Sequence, residues 1–423
     1  MRILYVEASS GQVVGGSLTG LLTLIEGLDR SRYEPQLILY EDKPINRRLR
    51  ARGIPVRVFS KRRLPKEHPL QSSPAYQTAK AWPGVTPFLR NVRAVVTFLF
   101  ETLPAALRLA RIMGELQPDL VHTCNGFRGN MDAIVAARLA GIPCIVHCKG
   151  FDKHTIVERL AAPRVAAAVC MTEAIAQHCR RQGIRPPELH VVYDGLDLAS
   201  FRPTRTRDDV REELGLDPKA PVVGVVGNIQ EWKGQRVLIE AMSSILESYP
   251  NAVALIVGGA HRSGQGYAAM LRRLVRERGL ERSVVFTGPR EDVADVMAAM
   301  DVVAHTSIQP EPFGRVIIEA MSVGRPVVAT SAGGVPEFVQ HEDNGLLVPP
   351  GDPQALAEAL CRLLGDEALR ERLGRRGMAS VERFRIERHV QEITRIYETI
   401  AARLGPALGA ARRGSQSALA AGR

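Results

Sequence analysis

Short runs of β-branched and small apolar residues alternate with longer stretches of helical period along nearly all of this 423-residue chain. That alternation restricts it to parallel sheets with helices on both faces, because each parallel strand needs a long crossover before its neighbour. In the first half the strand signals fall at Arg2–Glu7, Gln36–Tyr40, Val56–Ser60, Leu120–Thr123, Cys144–Cys148, Ala167–Met171 and His190–Tyr193. In the second they fall at Val222–Gly227, Ala252–Val257, Val284–Thr287, Val302–Ala304, Pro326–Ala329 and Leu346–Val348.

One hydrophobic core rarely organises so long a chain, and Gly195 and Pro203 interrupt the pattern midway. The expected fold class is α/β: a Rossmann-like domain over residues 1–198 and a second over 199–386. A helix at 387–403 is expected to pack back on the first domain. The Ala-, Gly-, Arg- and Ser-rich stretch 404–423 reads as a disordered tail.

A net charge of +11 calls for anionic partners. With 5% aromatic residues and no nucleic-acid-binding fingerprint, nucleic acid is not among those expected. The six cysteines are thinly spread, as in a reducing compartment. Met1-Arg2 leads straight into a strand, no apolar run approaches the ~20 residues that span a bilayer, and a cytoplasmic location is expected.

The segment Lys43–Pro69 is strongly basic. Beyond it, two apolar helical patterns, Phe88–Phe100 and Pro104–Met113, carry Arg90, Arg93, Arg108 and Arg111. Such a segment suits peripheral contact with an anionic lipid surface at the inner face of the membrane. The alternative is a second helix packed on the sheet with its charges solvated.

The densest chemical signal is Glu311-Pro312-Phe313-Gly314-Arg315-Val316, leading to Glu319, beyond the strand at Val302–Ala304. Ligands bind at the carboxyl ends of strands in open α/β sheets, and the helix that opens after Gly314 offers free N–H groups and a positive dipole end to a phosphate. Glu311 and Glu319 can accept hydrogen bonds from sugar hydroxyls. A second signal is Gly227-Asn228 with Lys233 after the strand Val222–Gly227, a glycine turn bearing a point charge for a diphosphate. A third, Gly15-Gly16 in the first strand-to-helix connection, lacks the G-x-G-x-x-G fingerprint of hydride-transfer enzymes.

These segments resemble the retaining glycosyltransferases of family four, which have the GT-B fold of two Rossmann-like domains facing across a cleft. The resemblance rests on the E-x₇-E motif Glu311–Glu319, on Gly333-Gly334-Val335-Pro336-Glu337, on Asn344-Gly345-Leu346-Leu347-Val348 and on Tyr193-Asp194-Gly195-Leu196-Asp197. It implies transfer of a hexose from a nucleoside-diphosphate sugar to a saccharide or lipid-linked saccharide acceptor, as in cell-surface polysaccharide or glycolipid synthesis, with retained configuration and no metal or other cofactor. By resemblance, Glu311 contacts the hexose, Glu319 the ribose, and Lys233 with the Phe313–Val316 turn the diphosphate. Asn228 stands where the family usually has Arg or Lys. The family's first-domain histidine corresponds to Lys149, with His147 two residues earlier. The chain contains no Asp-x-Asp.

Two other readings stand beside this one: a GT-B sugar-nucleotide epimerase, and a nucleotide-sugar-binding protein without catalysis. A zinc site built from His122, Cys124, Cys144, His147 and Cys148 lacks any familiar ligand spacing, and these residues read as core.

Overall fold

The computed structural model describes residues 1–8, 16–43, 45–61, 85–260 and 264–420. They form two compact units. The first comprises Met1–Met171, Ile175–Val192 and Val390–Arg423, the second Thr172–Ala174 and Tyr193–His389. The handover lies at Tyr193, ahead of residue 199, for a packing reason. Val192 is buried in the first unit's core, whereas the Tyr193 ring stands 5.5 Å from Phe384 and 6.2 Å from Phe313 in the second.

The first unit contains strands β1 (Arg2–Glu7), β2 (Glu34–Leu39), β3 (Val56–Val58), β4 (Leu120–Thr123), β5 (Cys144–Cys148), β6 (Ala167–Cys170) and β7 (Leu189–Val191). They form a parallel sheet in the order β3-β2-β1-β4-β5-β6-β7. The second unit contains β8 (Val222–Val226), β9 (Val253–Val257), β10 (Val284–Gly288), β11 (Val302–His305), β12 (Val327–Thr330) and β13 (Leu346–Val348). Its parallel order, β10-β9-β8-β11-β12-β13, repeats the same winding. Every strand signal of the sequence corresponds to one of these strands. Both sheets reverse winding direction at one point, between β1 and β4 and between β8 and β11, which is where such sheets open a crevice for ligands.

The helix Ile386–Ala420 presents Ile393, Ile396, Tyr397 and Ile400 to the first core, one stripe at helical spacing. It continues to Ala420 through the segment read as a disordered tail. Alanine-rich sequence has high helix propensity, which the absence of packing residues had obscured. Tyr397 OH lies 2.6 Å from His122 Nδ1 and 3.1 Å from Tyr5 OH, and His122 Nε2 lies 3.3 Å from His147 Nδ1. His147 is therefore a core histidine, stacked on His122.

The two apolar patterns after residue 85 join into one helical run. A helix over Val85–Thr97 passes through a π turn, Phe98–Thr102, into a helix over Leu103–Leu116. The widened turn precedes Pro104, which has no N–H to offer a regular ladder. The basic segment before this run is not uniformly solvated. Lys43 is 3% exposed and 3.7 Å from buried Glu7, and Lys61 pairs with buried Asp132 at 3.2 Å. Residues 62–84 lie outside the described residues. No helix among the described residues is long and apolar enough to cross a membrane.

Candidate functional site

The two connections at the second sheet's switch point carry the main sequence signals. After β8 the chain passes Gly227 and Asn228 into a short 3-10 turn, Glu231–Lys233, and then the helix Gln235–Ser248. After β11 it passes Thr306 and Ser307 to Glu311 and the helix Arg315–Ser322. Backbone contacts join the two loops: Ile308 N donates to Trp232 O at 2.9 Å and Thr306 Oγ1 to Lys233 O at 2.9 Å. Gly234 makes this approach possible, because a Cβ there would stand 2.1 Å from Thr306 O.

Glu311 is 5% exposed, and its Oε2 accepts three hydrogen bonds: from Lys233 Nζ at 2.7 Å, Ser307 Oγ at 2.8 Å and His305 Nε2 at 3.0 Å. An ionised carboxylate can only accept, so His305 Nε2 carries the proton that faces it, and Nδ1 lies 3.2 Å from the Thr330 hydroxyl, which can donate to it. Burial alone would raise the Glu311 pKa. The His305 hydrogen bond and the Lys233 charge outweigh it and hold the group at about 2. The backbone is fixed as well: Gly334 N donates to Glu311 O at 2.8 Å, and a Cβ on Gly333 (φ +69°) would come within 2.1 Å of that oxygen. The site thus holds a carboxylate ionised at neutral pH, rigidly aimed, against an ammonium with further N–H groups to spend on an anion.

Lys233 also rests on the Trp232 ring, 4.1 Å from its centroid. Gly314 (φ +87°) starts the helix Arg315–Ser322, and Arg315 Nε donates to Glu319 Oε1 at 2.9 Å one turn on. Burial raises the Glu319 carboxyl, with the Arg315 charge acting against it. The first-turn N–H groups at Arg315 and Val316 have no partner within a regular helix ladder and suit an anion. Asn228 lies on the first loop, its carbonyl accepting from Gln235 Nε2 at 3.0 Å, and Gly227 has open space where a Cβ would stand.

Phe313 is 2% exposed and packs 5.4 Å from Phe338 and 5.7 Å from Phe384, so its side chain belongs to the core. Pro312 contributes its carbonyl to Thr172 Oγ1 at 3.0 Å. Glu337 accepts from the backbone of Glu173 (2.9 Å) and Ala174 (2.7 Å) and from Tyr193 OH (2.9 Å), a structural role.

Lys149 and Gly16 belong to the first unit, Lys149 directly after β5 and Gly16 opening the helix Gly16–Gly27. Gly15 lies outside the described residues. The switch point of that sheet holds a polar cluster absent from the sequence reading. Asn125 Nδ2 donates to Glu7 Oε1 at 2.9 Å, Asn125 Oδ1 accepts from Ala8 N at 2.6 Å, and Tyr40 OH donates to Asp132 Oδ1 at 2.7 Å.

Two doubly wound parallel sheets, the second with an acid and a lysine clasped at its switch point, are those of the GT-B fold. The profile described as "Glycosyl transferases group 1" matches residues 206–379, and that of the "Glycosyl transferase 4-like domain" matches 15–195. The chain belongs to the group 1 glycosyltransferases. It is similar to the D-inositol 3-phosphate glycosyltransferase of Corynebacterium urealyticum, 37% identical over 50% of this chain and 51% of that one. Its likeness to the corresponding protein of a Nocardioides species is 29% over 86% and 85%. The chain spans about half the length of the first curated relatives it matches. Among solved structures, Anabaena HepE in complex with UDP and glucose aligns at a TM-score of 0.76 with 27% identity, over 94% of this chain and 99% of that one.

Proposed function

We propose that this protein is a UDP-sugar-dependent, metal-independent, retaining hexosyltransferase. The observation that carries the proposal is the Lys233–Glu311–His305 constellation at the switch point, beside the helix start at Arg315. It combines an ionised acceptor for a hexose hydroxyl with fixed cations and N–H groups that stabilise a departing diphosphate. Glu319 is assigned to the ribose and Arg315 to the diphosphate, where it also makes up for Asn228. Lys149 is assigned to donor or acceptor contact from the first unit. HepE, solved with UDP and with UDP-glucose, supports the choice of nucleotide.

With EDTA present, UDP at about a hundred times its Kd should stabilise the protein by about 3 kcal/mol, seen as a clear rise in thermal midpoint. GDP, ADP and TDP should do less. No response to any of them would end this reading in favour of a protein without donor binding, and a metal requirement would remove metal independence.

We also propose that the acceptor is presented at a lipid surface. Phe88, Val92, Val95, Val96, Leu99 and Phe100 are all exposed, Phe88 and Phe100 by 65% and 70%, and Arg93 lies in the same run. A basic helix with an uncovered apolar face suits an anionic interface. Co-sedimentation with phosphatidylglycerol vesicles at low salt should fall several-fold in Arg90→Glu/Arg93→Glu. Absence of sedimentation by the unaltered protein would sink the idea.

A further inference from the structure

The cysteine cluster that forms in the first unit is not the one the sequence suggested. Cys148 closes β5 and Cys170 closes β6, directly opposite one another in the parallel register. Cys179, on the helix Glu173–Arg181, completes the group. The three Sγ atoms lie within 4.8 Å of one another, and all three residues are buried. Cys124 and Cys144 direct their thiols to backbone carbonyls, at 3.8 and 3.7 Å, and Cys361 belongs to the other unit.

A fourth donor adjoins the group. His154 is 2% exposed, stands beside Cys179 just outside the group of three sulfurs, and has a buried Nδ1 without a hydrogen-bond partner. Three thiols gathered at one point exceed what a disulfide uses. Their spacing is compatible with three corners of a tetrahedral zinc site, in which sulfurs about 2.3 Å from the ion stand about 3.8 Å apart.

We propose that Cys148, Cys170 and Cys179, with the His154 ring turning in as fourth ligand, bind a thiophilic divalent ion, zinc by preference, that ties β5, β6 and the following helix together. Binding releases the three thiol protons to solvent. Three thiolates, a neutral imidazole and a divalent cation leave one net negative charge, which the nearby Arg180 offsets. With all four positions filled by protein the ion is structural, as in closed Cys₃His sites, and takes no part in sugar transfer.

Elemental analysis of the full chain purified without chelator should find about one zinc per chain. Cys170→Ser and Cys179→Ser should fall to background and Cys361→Ser should not. Cobalt added to metal-free protein should give sulfur-to-cobalt charge-transfer absorption, a readout on the unaltered chain that stands even where the serine variants fail to fold. A chain that is metal-free as purified and takes up neither zinc nor cobalt would overturn the proposal, as would an intact mass two hydrogens light, which marks a disulfide. The inference is independent of the transferase reading: Lys233→Ala should lose the UDP response and keep its metal.

Discussion

Glu311→Gln should lower turnover, followed as UDP release from UDP-glucose, by ~10²–10³-fold, the usual cost of removing one fixed electrostatic group from a transition state. Glutamine keeps the shape and loses the charge. The variant should stay folded, but with a stability cost, because His305 and Lys233 lose their common anion. Its pH dependence offers a separate check. The carboxyl titrates at about 2 when folded against an ordinary 4.5, so between those values the unfolded chain binds the extra proton. The stabilisation is therefore complete above about pH 4.5 and lost as pH falls towards 2. It amounts to about 3 kcal/mol, and the variant should lack that part of the acid slope in urea titrations. Undiminished turnover would show that the carboxylate is structural only.

Asp301→Ala should be the most destabilising single change in the second unit, by ~3–5 kcal/mol, with a thermal midpoint lower by about 10 °C. Arg211 is fully buried, donating to Ala299 O (3.0 Å), Pro218 O (2.7 Å), Ala220 O (3.0 Å) and Asp301 Oδ2 (3.0 Å). Asp301 also accepts from Arg207 Nη2 and Val222 N, each at 2.7 Å, and so anchors the start of β8. Alanine leaves the Arg211 charge buried with carbonyls alone, and breaking a buried pair costs more than the pair contributes. Adding Arg211→Met should recover part of the loss. A fall below 1 kcal/mol in Asp301→Ala would mean that water reaches Arg211.

The winding of both sheets was legible because strands buried on both faces, such as Val222–Val226 and Val302–His305, read as unbroken apolar runs. Glu311, Glu319 and Lys233 were legible because glycines and prolines mark turns whose geometry a site requires. Their supporting residues were not. His305, Ser307 and Thr330 look like ordinary polar residues at strand ends, and only the pairing of β11 with β12 brings Thr330 to His305. Strand periodicity held one usable hint, since His305 and Ser307 are two apart and share a face. Arg211, Lys43 and Lys61 were hidden for the opposite reason: a charged residue reads as solvated until its partner, distant in sequence, is known. The same blindness hid the Cys148–Cys170–Cys179 convergence, which depends on strand register rather than on spacing along the chain.

The return of the last helix to the first unit also bears on synthesis. Ile393, Ile396, Tyr397 and Ile400 emerge from a ribosome after everything else that surrounds them in that core. The second unit, whose sheet is complete by Val348, can gain its native packing while the first still lacks a wall. The half that begins translation is thus the half that finishes folding last, and chains stalled before Ile393 would expose an open apolar seam to chaperones and proteases.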